Sequence, residues 1–81
     1  NVLTRWNIAR SYQALENIEK AQELYGELHR DLRYNPEFLE EYIYLLRECG
    51  ELERAKQEAQ HYLSLVPDDS VMQEFYDSMD Y

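Results

Sequence analysis

Glycine, proline and cysteine are scarce, with two, two and one among 81 residues. With only Gly26 and Gly50, the chain has no glycine-rich loop to cradle a phosphate. The lone Cys49 cannot form an internal disulfide, which points to a reducing compartment and a cytoplasmic location, with Cys49 itself a small core residue. Basic residues are few, 8 against 17 acidic, for a net charge of −9. That balance argues against nucleic acid or an anionic membrane as partner, since both call for a basic surface. No apolar run approaches the length of a membrane span, and no signal-peptide pattern is visible. There is no initiating Met and the chain opens directly on an apolar-periodic run, so we expect a piece of a longer protein.

Catalytic and metal chemistry are equally thin. His29 and His61 fall near the C-terminal ends of predicted helices, where an imidazole suits the helix dipole. No His-Glu-x-x-His pair, Cys cluster or carboxylate loop suggests a metal. Asp68, Asp69, Asp77 and Asp80 could hold a cation only loosely, and Asp at helix starts is ordinary capping. Ser11, Ser64, Ser70 and Ser78 lack the strand-turn-helix setting of a nucleophile. The expectation is a non-enzyme with no cofactor and no metal.

What the chain does contain is a repeat. Of the eleven apolar residues between Ile8 and Leu32, nine meet an apolar residue 34 positions later: Ile8 meets Tyr42, Tyr12 meets Leu46, Ala21 meets Ala55 and Leu28 meets Tyr62. Chance would give about six, so the count alone is modest. Both copies also break at the same point and restart alike, at Glu19-Lys20-Ala21 and Glu53-Arg54-Ala55. A period of this length marks stacked supersecondary units.

The spacing predicts five helices with short, antiparallel connections. The first runs from about Val2 to Leu15 and buries Ile8, Ala9, Tyr12 and Leu15. Asn17 caps the second, which buries Ile18, Ala21, Tyr25, Leu28 and Leu32, while Gly26 either permits a close approach or sits neutrally on an exposed face. Asn35-Pro36 opens the third, which buries Leu39, Tyr42, Ile43 and Leu46, with Phe38, Leu45 and Cys49 at the edge, and Gly50 closes it. The fourth carries Leu52, Ala55, Ala59, Tyr62 and Val66. A closing helix holds Val71, Met72, Phe75, Tyr76 and Met79, its phase drifting from the repeat.

Ala9, Tyr12, Ala21, Tyr25 and Leu28, with Leu46, Gly50, Ala55, Ala59, Tyr62 and Pro67, resemble the tetratricopeptide repeat, a helix-turn-helix unit of 34 residues. The likeness departs at Arg5 and Leu39, where the family places Trp, and at Glu16, where it places a turn glycine. The expected fold is an all-α solenoid fragment: one repeat over 1–34, a second over 35–68 and a C-terminal capping helix over 69–81.

The resemblance implies a protein-interaction module whose first helices line a concave groove for a partner peptide or helix. Carried over by position, that groove takes Leu3, Trp6, Arg10 and Gln13 from the first copy, and Glu37, Glu40, Glu41, Tyr44, Arg47 and Glu48 from the second. The partner-binding residues expected from this set are Trp6, Arg10, Gln13, Glu40, Glu41, Tyr44 and Arg47, with Trp6 and Tyr44 exposed as contacts. Four Glu against two Arg favour a neutral, apolar or basic segment. One branch of the family clamps chaperone-tail carboxylates with Lys, Asn and Arg; Glu41 at the Asn position would repel such a ligand, which excludes it here. The alternative is a non-catalytic oligomerisation or scaffolding appendage of a larger enzyme, such as a glycosyltransferase, with a homodimer through the Leu3–Trp6 end or the closing helix.

Overall fold

The computed structural model describes residues 1–79. It is built of five α-helices: α1 (Val2–Ala14), α2 (Ile18–Leu32), α3 (Pro36–Glu48), α4 (Leu52–Leu65) and α5 (Ser70–Ser78). Each packs on the next in chain order, giving an antiparallel array. Asp80, one of the four acidic residues considered above, lies outside the described residues, as does the last residue of the expected 69–81 unit.

The repeat is written most clearly in the helix starts. Asn1, Asn35 and Asp69 stand 34 apart, and each side chain accepts a hydrogen bond from the third amide onward: Thr4 N at 3.0 Å, Phe38 N at 3.3 Å and Met72 N at 3.0 Å. Each bond satisfies an amide that a helix start leaves without a partner. α5 therefore begins in register with α1 and α3, although its apolar residues drift from the repeat.

The two turns inside the hairpins also match. Asn17 N donates to Tyr12 O and Glu51 N to Leu46 O, both at 2.9 Å, closing α1 and α3 with the same left-handed C-terminal motif. Its positive-φ residue is Gly50 (φ 78°) in one copy and Glu16 (φ 62°) in the other. Sequence had marked Glu16 as a departure from the turn glycine. The backbone adopts the glycine conformation regardless, against a cost of about 1 kcal/mol or more for a residue with a Cβ.

Ala9, Ala21, Ala55 and Ala59 are fully buried, so helix backbones can approach closely at the crossings. Between α2 and α3 lies an aromatic stack: Tyr25 sits 5.6 Å from Phe38 and 6.2 Å from Tyr42, nearly parallel to the latter. Such pairs add about 0.5–1.5 kcal/mol each beyond the area they bury. Gly26 faces solvent, and a Cβ there would meet only the Tyr42 hydroxyl at 4.0 Å, an ordinary contact.

Several burial expectations are corrected. Phe38 and Leu45 are wholly buried, not at an edge, because α2 covers that side of α3. Leu15 is the C-cap of α1 and 77% exposed, and Ile8 is 46% exposed. Their counterparts Cys49 and Tyr42 are covered because α2 packs on α3, whereas no described helix lies on the equivalent side of α1. Leu52 is exposed as well.

Candidate partner-binding face

α1, α3 and α5 lie side by side, joined by side chains that bridge two gaps. In the first gap, Glu41 of α3 is the centre. Its Oε1 accepts from Trp6 Nε1 (2.9 Å), Tyr25 OH (2.8 Å) and Arg10 Nε (3.0 Å), while Oε2 takes the Arg10 guanidinium edge in a bidentate pair. Arg10 also lies over the Trp6 ring, 4.3 Å from its centroid, and Gln13 approaches the Tyr25 hydroxyl at 3.4 Å. Partial burial pushes the Glu41 carboxyl up, but the donors from Arg10, Trp6 and Tyr25 outweigh it and hold the group below the ordinary value. Tyr25 moves the other way, raised by burial and by donation to Glu41.

The second gap repeats these positions 34 residues on with different chemistry. Arg10 and Glu41 become Tyr44 and Phe75, whose rings meet edge to face at 4.9 Å. Gln13 becomes Arg47, laid over the Phe75 ring at 5.2 Å. Tyr25 becomes Ala59, fully buried. At the outer end, Tyr62 OH donates to Asp69 Oδ2 at 2.7 Å while Asp69 Oδ1 caps α5. That hydroxyl and the Met72 amide depress the Asp69 carboxyl.

The sequence-predicted residues are thus brought together, but not as open contacts. Trp6 was expected to be exposed; it is 5% exposed, its ring edge-on to Phe38 at 5.8 Å. Tyr44 is expected to have nothing of its own chain to cover it; Phe75 covers part of it, because the closing helix α5 sets that ring beside α3. Arg10 and Arg47 are exposed at their edges but committed, one to Glu41 and one to Phe75. Glu40 is exposed and makes only a long contact with Tyr62 OH, 3.4 Å. Glu37 and Glu48 on α3 and Glu74 on α5 are exposed, and no ion pair involves them among the described residues.

Sequence reasoning missed the contacts between α2 and α4. His29 Nε2 lies 2.6 Å and 3.0 Å from the two carboxylate oxygens of Glu58, so it serves the neighbouring helix more than its own helix end. The signal was present: the repeat alignment sets Glu58 opposite the apolar Leu24, and a carboxylate there needs a partner. His61 Nε2 donates to Arg33 O at 2.7 Å, tying α4 to the end of α2. Burial and the nearby Glu48 and Glu51 push the Cys49 thiol up. Among the described residues no group of three His, Cys, Asp or Glu could hold a metal, and no helix is long and apolar enough to cross a membrane.

A family model described as YpiA-like, C-terminal tetratricopeptide repeats matches residues 3–69. No match was found among curated proteins or among solved structures.

Proposed function

The chain belongs to the family of YpiA-like C-terminal tetratricopeptide repeats, and from that premise we propose that it binds a partner peptide or helix along the shared face of α1, α3 and α5. Tetratricopeptide repeats are typically non-catalytic interaction modules. The observation that carries the finer reading is the charge left available on this face. Both arginines are held by their own chain, while Glu37, Glu40, Glu48 and Glu74 point to solvent. A concave, net acidic groove of this kind selects neutral, apolar or basic segments and rejects acidic ones. Trp6, Arg10, Gln13 and Glu41 form its inner wall, and Glu40, Tyr44 and Arg47 its accessible edge.

The test compares charge reversals on opposite faces. Tagged wild-type chain, a Glu40→Lys/Glu48→Lys variant and a Glu23→Lys/Glu27→Lys variant on α2 would each retrieve proteins from the cells that make it. A partner lost only with the α3 variant supports the reading; equal loss with both variants sinks it.

A second reading, self-association as a scaffolding appendage of a larger enzyme, is favoured by the outward side of α1. There Ile8 and Leu15 stand where Tyr42 and Cys49 of α3 are covered. Light scattering over a concentration series checks it: a dimer that Ile8→Ser/Leu15→Ser dissolves would put this reading ahead.

A further inference from the structure

We infer that the rim of this face, where α1, α3 and α5 begin, seats one lysine or arginine of a partner polypeptide flanked on each side by an apolar side chain. The inference rests on the reading of this face as the binding surface. It starts from Leu3, Glu37 and Val71, which occupy the second position of their helices, 34 residues apart. That position favours a carboxylate, because the positive end of the helix dipole lies there. α3 follows the rule with Glu37; α1 and α5 do not. They place Leu3 and Val71 there, 64% and 65% exposed, and neither joins the core cluster. Valine is also a mediocre helix former with a restricted side chain. Neither helix formation nor packing within the chain accounts for two large apolar groups at matched, solvent-facing positions, and a contact supplied from outside does.

The centre of the row fits a cation. Glu37 makes no ion pair among the described residues, and Glu40 and Glu74 lie one turn further on, on α3 and α5. The cations of this face offset the row only in part, since Arg10 feels the Glu37 charge but is paired with Glu41, and Arg47 lies over Phe75. α1, α3 and α5 meet through side chains without the close backbone approach of directly packed helices, so their starts stand roughly 10 Å apart and the row from Leu3 to Val71 spans roughly 20 Å. A polyproline II chain advances about 3.1 Å per residue and returns to the same face every third residue, so two apolar side chains about six residues apart and a basic one midway all face the row. The pattern is apolar-x-x-basic-x-x-apolar.

The experiment is an amide-shift titration with the peptide Phe-Ser-Gly-Arg-Ser-Gly-Phe, flanked by Gly-Ser, and with a copy carrying Glu in place of Arg. Expected are shifts clustered at the starts of α1, α3 and α5. Binding should weaken about tenfold or more with Glu37→Lys, and likewise with Leu3→Ser/Val71→Ser, as the loss of a charge contact or two apolar contacts predicts. Glu27→Lys, the same charge change on α2, should leave it unaltered. All these positions are exposed, and a preserved spectrum shows that the variants fold. Equal weakening by Glu27→Lys would show attraction to net charge alone and overturn the inference, as would the absence of any shift. Shifts centred on Tyr44 and Arg47 would overturn it while leaving the binding-face reading intact. Shifts confined to α2 and α4 would overturn both.

Discussion

The gap between α1 and α3 and the gap between α3 and α5 occupy equivalent places in the repeat, yet they are closed by opposite means. The first is a charged lock, Glu41 gripped by Arg10, Trp6 and Tyr25; the second is an aromatic clasp, Tyr44 and Arg47 on Phe75. The same backbone period therefore tolerates a carboxylate or a phenyl ring at one position, provided its neighbours change with it. Tyr25 supplies a hydroxyl beneath Glu41, and Ala59 leaves room beneath Phe75. Position in the repeat decides where a side chain points. Its neighbours decide whether that is affordable.

The comparison can be broken most severely at Phe75. Phe75→Ala should cost about 3 kcal/mol in chemical denaturation, the low end for removing a buried aromatic, because one side of the ring reaches the surface. Added salt should hardly change that loss. Glu41→Gln comes next, at about 2 kcal/mol, since the amide cannot pair with Arg10 and cannot accept as well from Trp6 and Tyr25. This effect carries a pH signature. The Glu41 carboxyl is depressed below its ordinary value of 4.5, so its stabilisation is complete above that value and is lost as pH falls through the lowered one. Acid titration of stability should be shallower in Glu41→Gln than in wild type, with the Asp69 contribution remaining in both.

Those two positions show what was and was not legible in the sequence. Helix number, the Asn35-Pro36 start, the Gly50 stop and the buried alanines follow from local rules of capping and spacing, and all are where the sequence places them. The residues of the candidate face lie side by side, yet Trp6 and Tyr44, which the helical pattern leaves exposed, are covered by their own chain. Their burial depends on which side chain a neighbouring helix presents, and a helical wheel carries no information about that. α5 reads less clearly as a third repeat for a simpler reason. Its apolar pattern differs from that of α3 because Gln73 and Asp77 replace Leu39 and Ile43, while the cap at Asp69 keeps the period. Caps marked the register better than apolar residues did.

The turns sharpen the comparison at a smaller scale. Glu16→Gly should stabilise the first hairpin by about 1 kcal/mol, and Gly50→Ala should destabilise the second by about the same amount, both read as shifts in melting temperature. The smallest effects separate the two tyrosines. Tyr25→Phe should cost about 1 kcal/mol through the lost bond to Glu41, whereas Tyr44→Phe should stay within about 0.5 kcal/mol, since no bond to the Tyr44 hydroxyl is seen among the described residues. Equal losses at both positions would show that the second gap also holds a polar contact.

Trp6 is the only tryptophan in the chain, and its indole N–H is bound in the charged lock. Its emission therefore reports on one gap and is blind to the other. Excited selectively, the indole should shift to longer wavelength when the lock admits water and stay still while α5 loosens. Far-ultraviolet dichroism registers every helix. Recording both signals along one denaturation would give two curves that superimpose if the five helices melt as a unit. If the dichroism falls first while the indole holds its colour, the molecule unzips from its aromatic end.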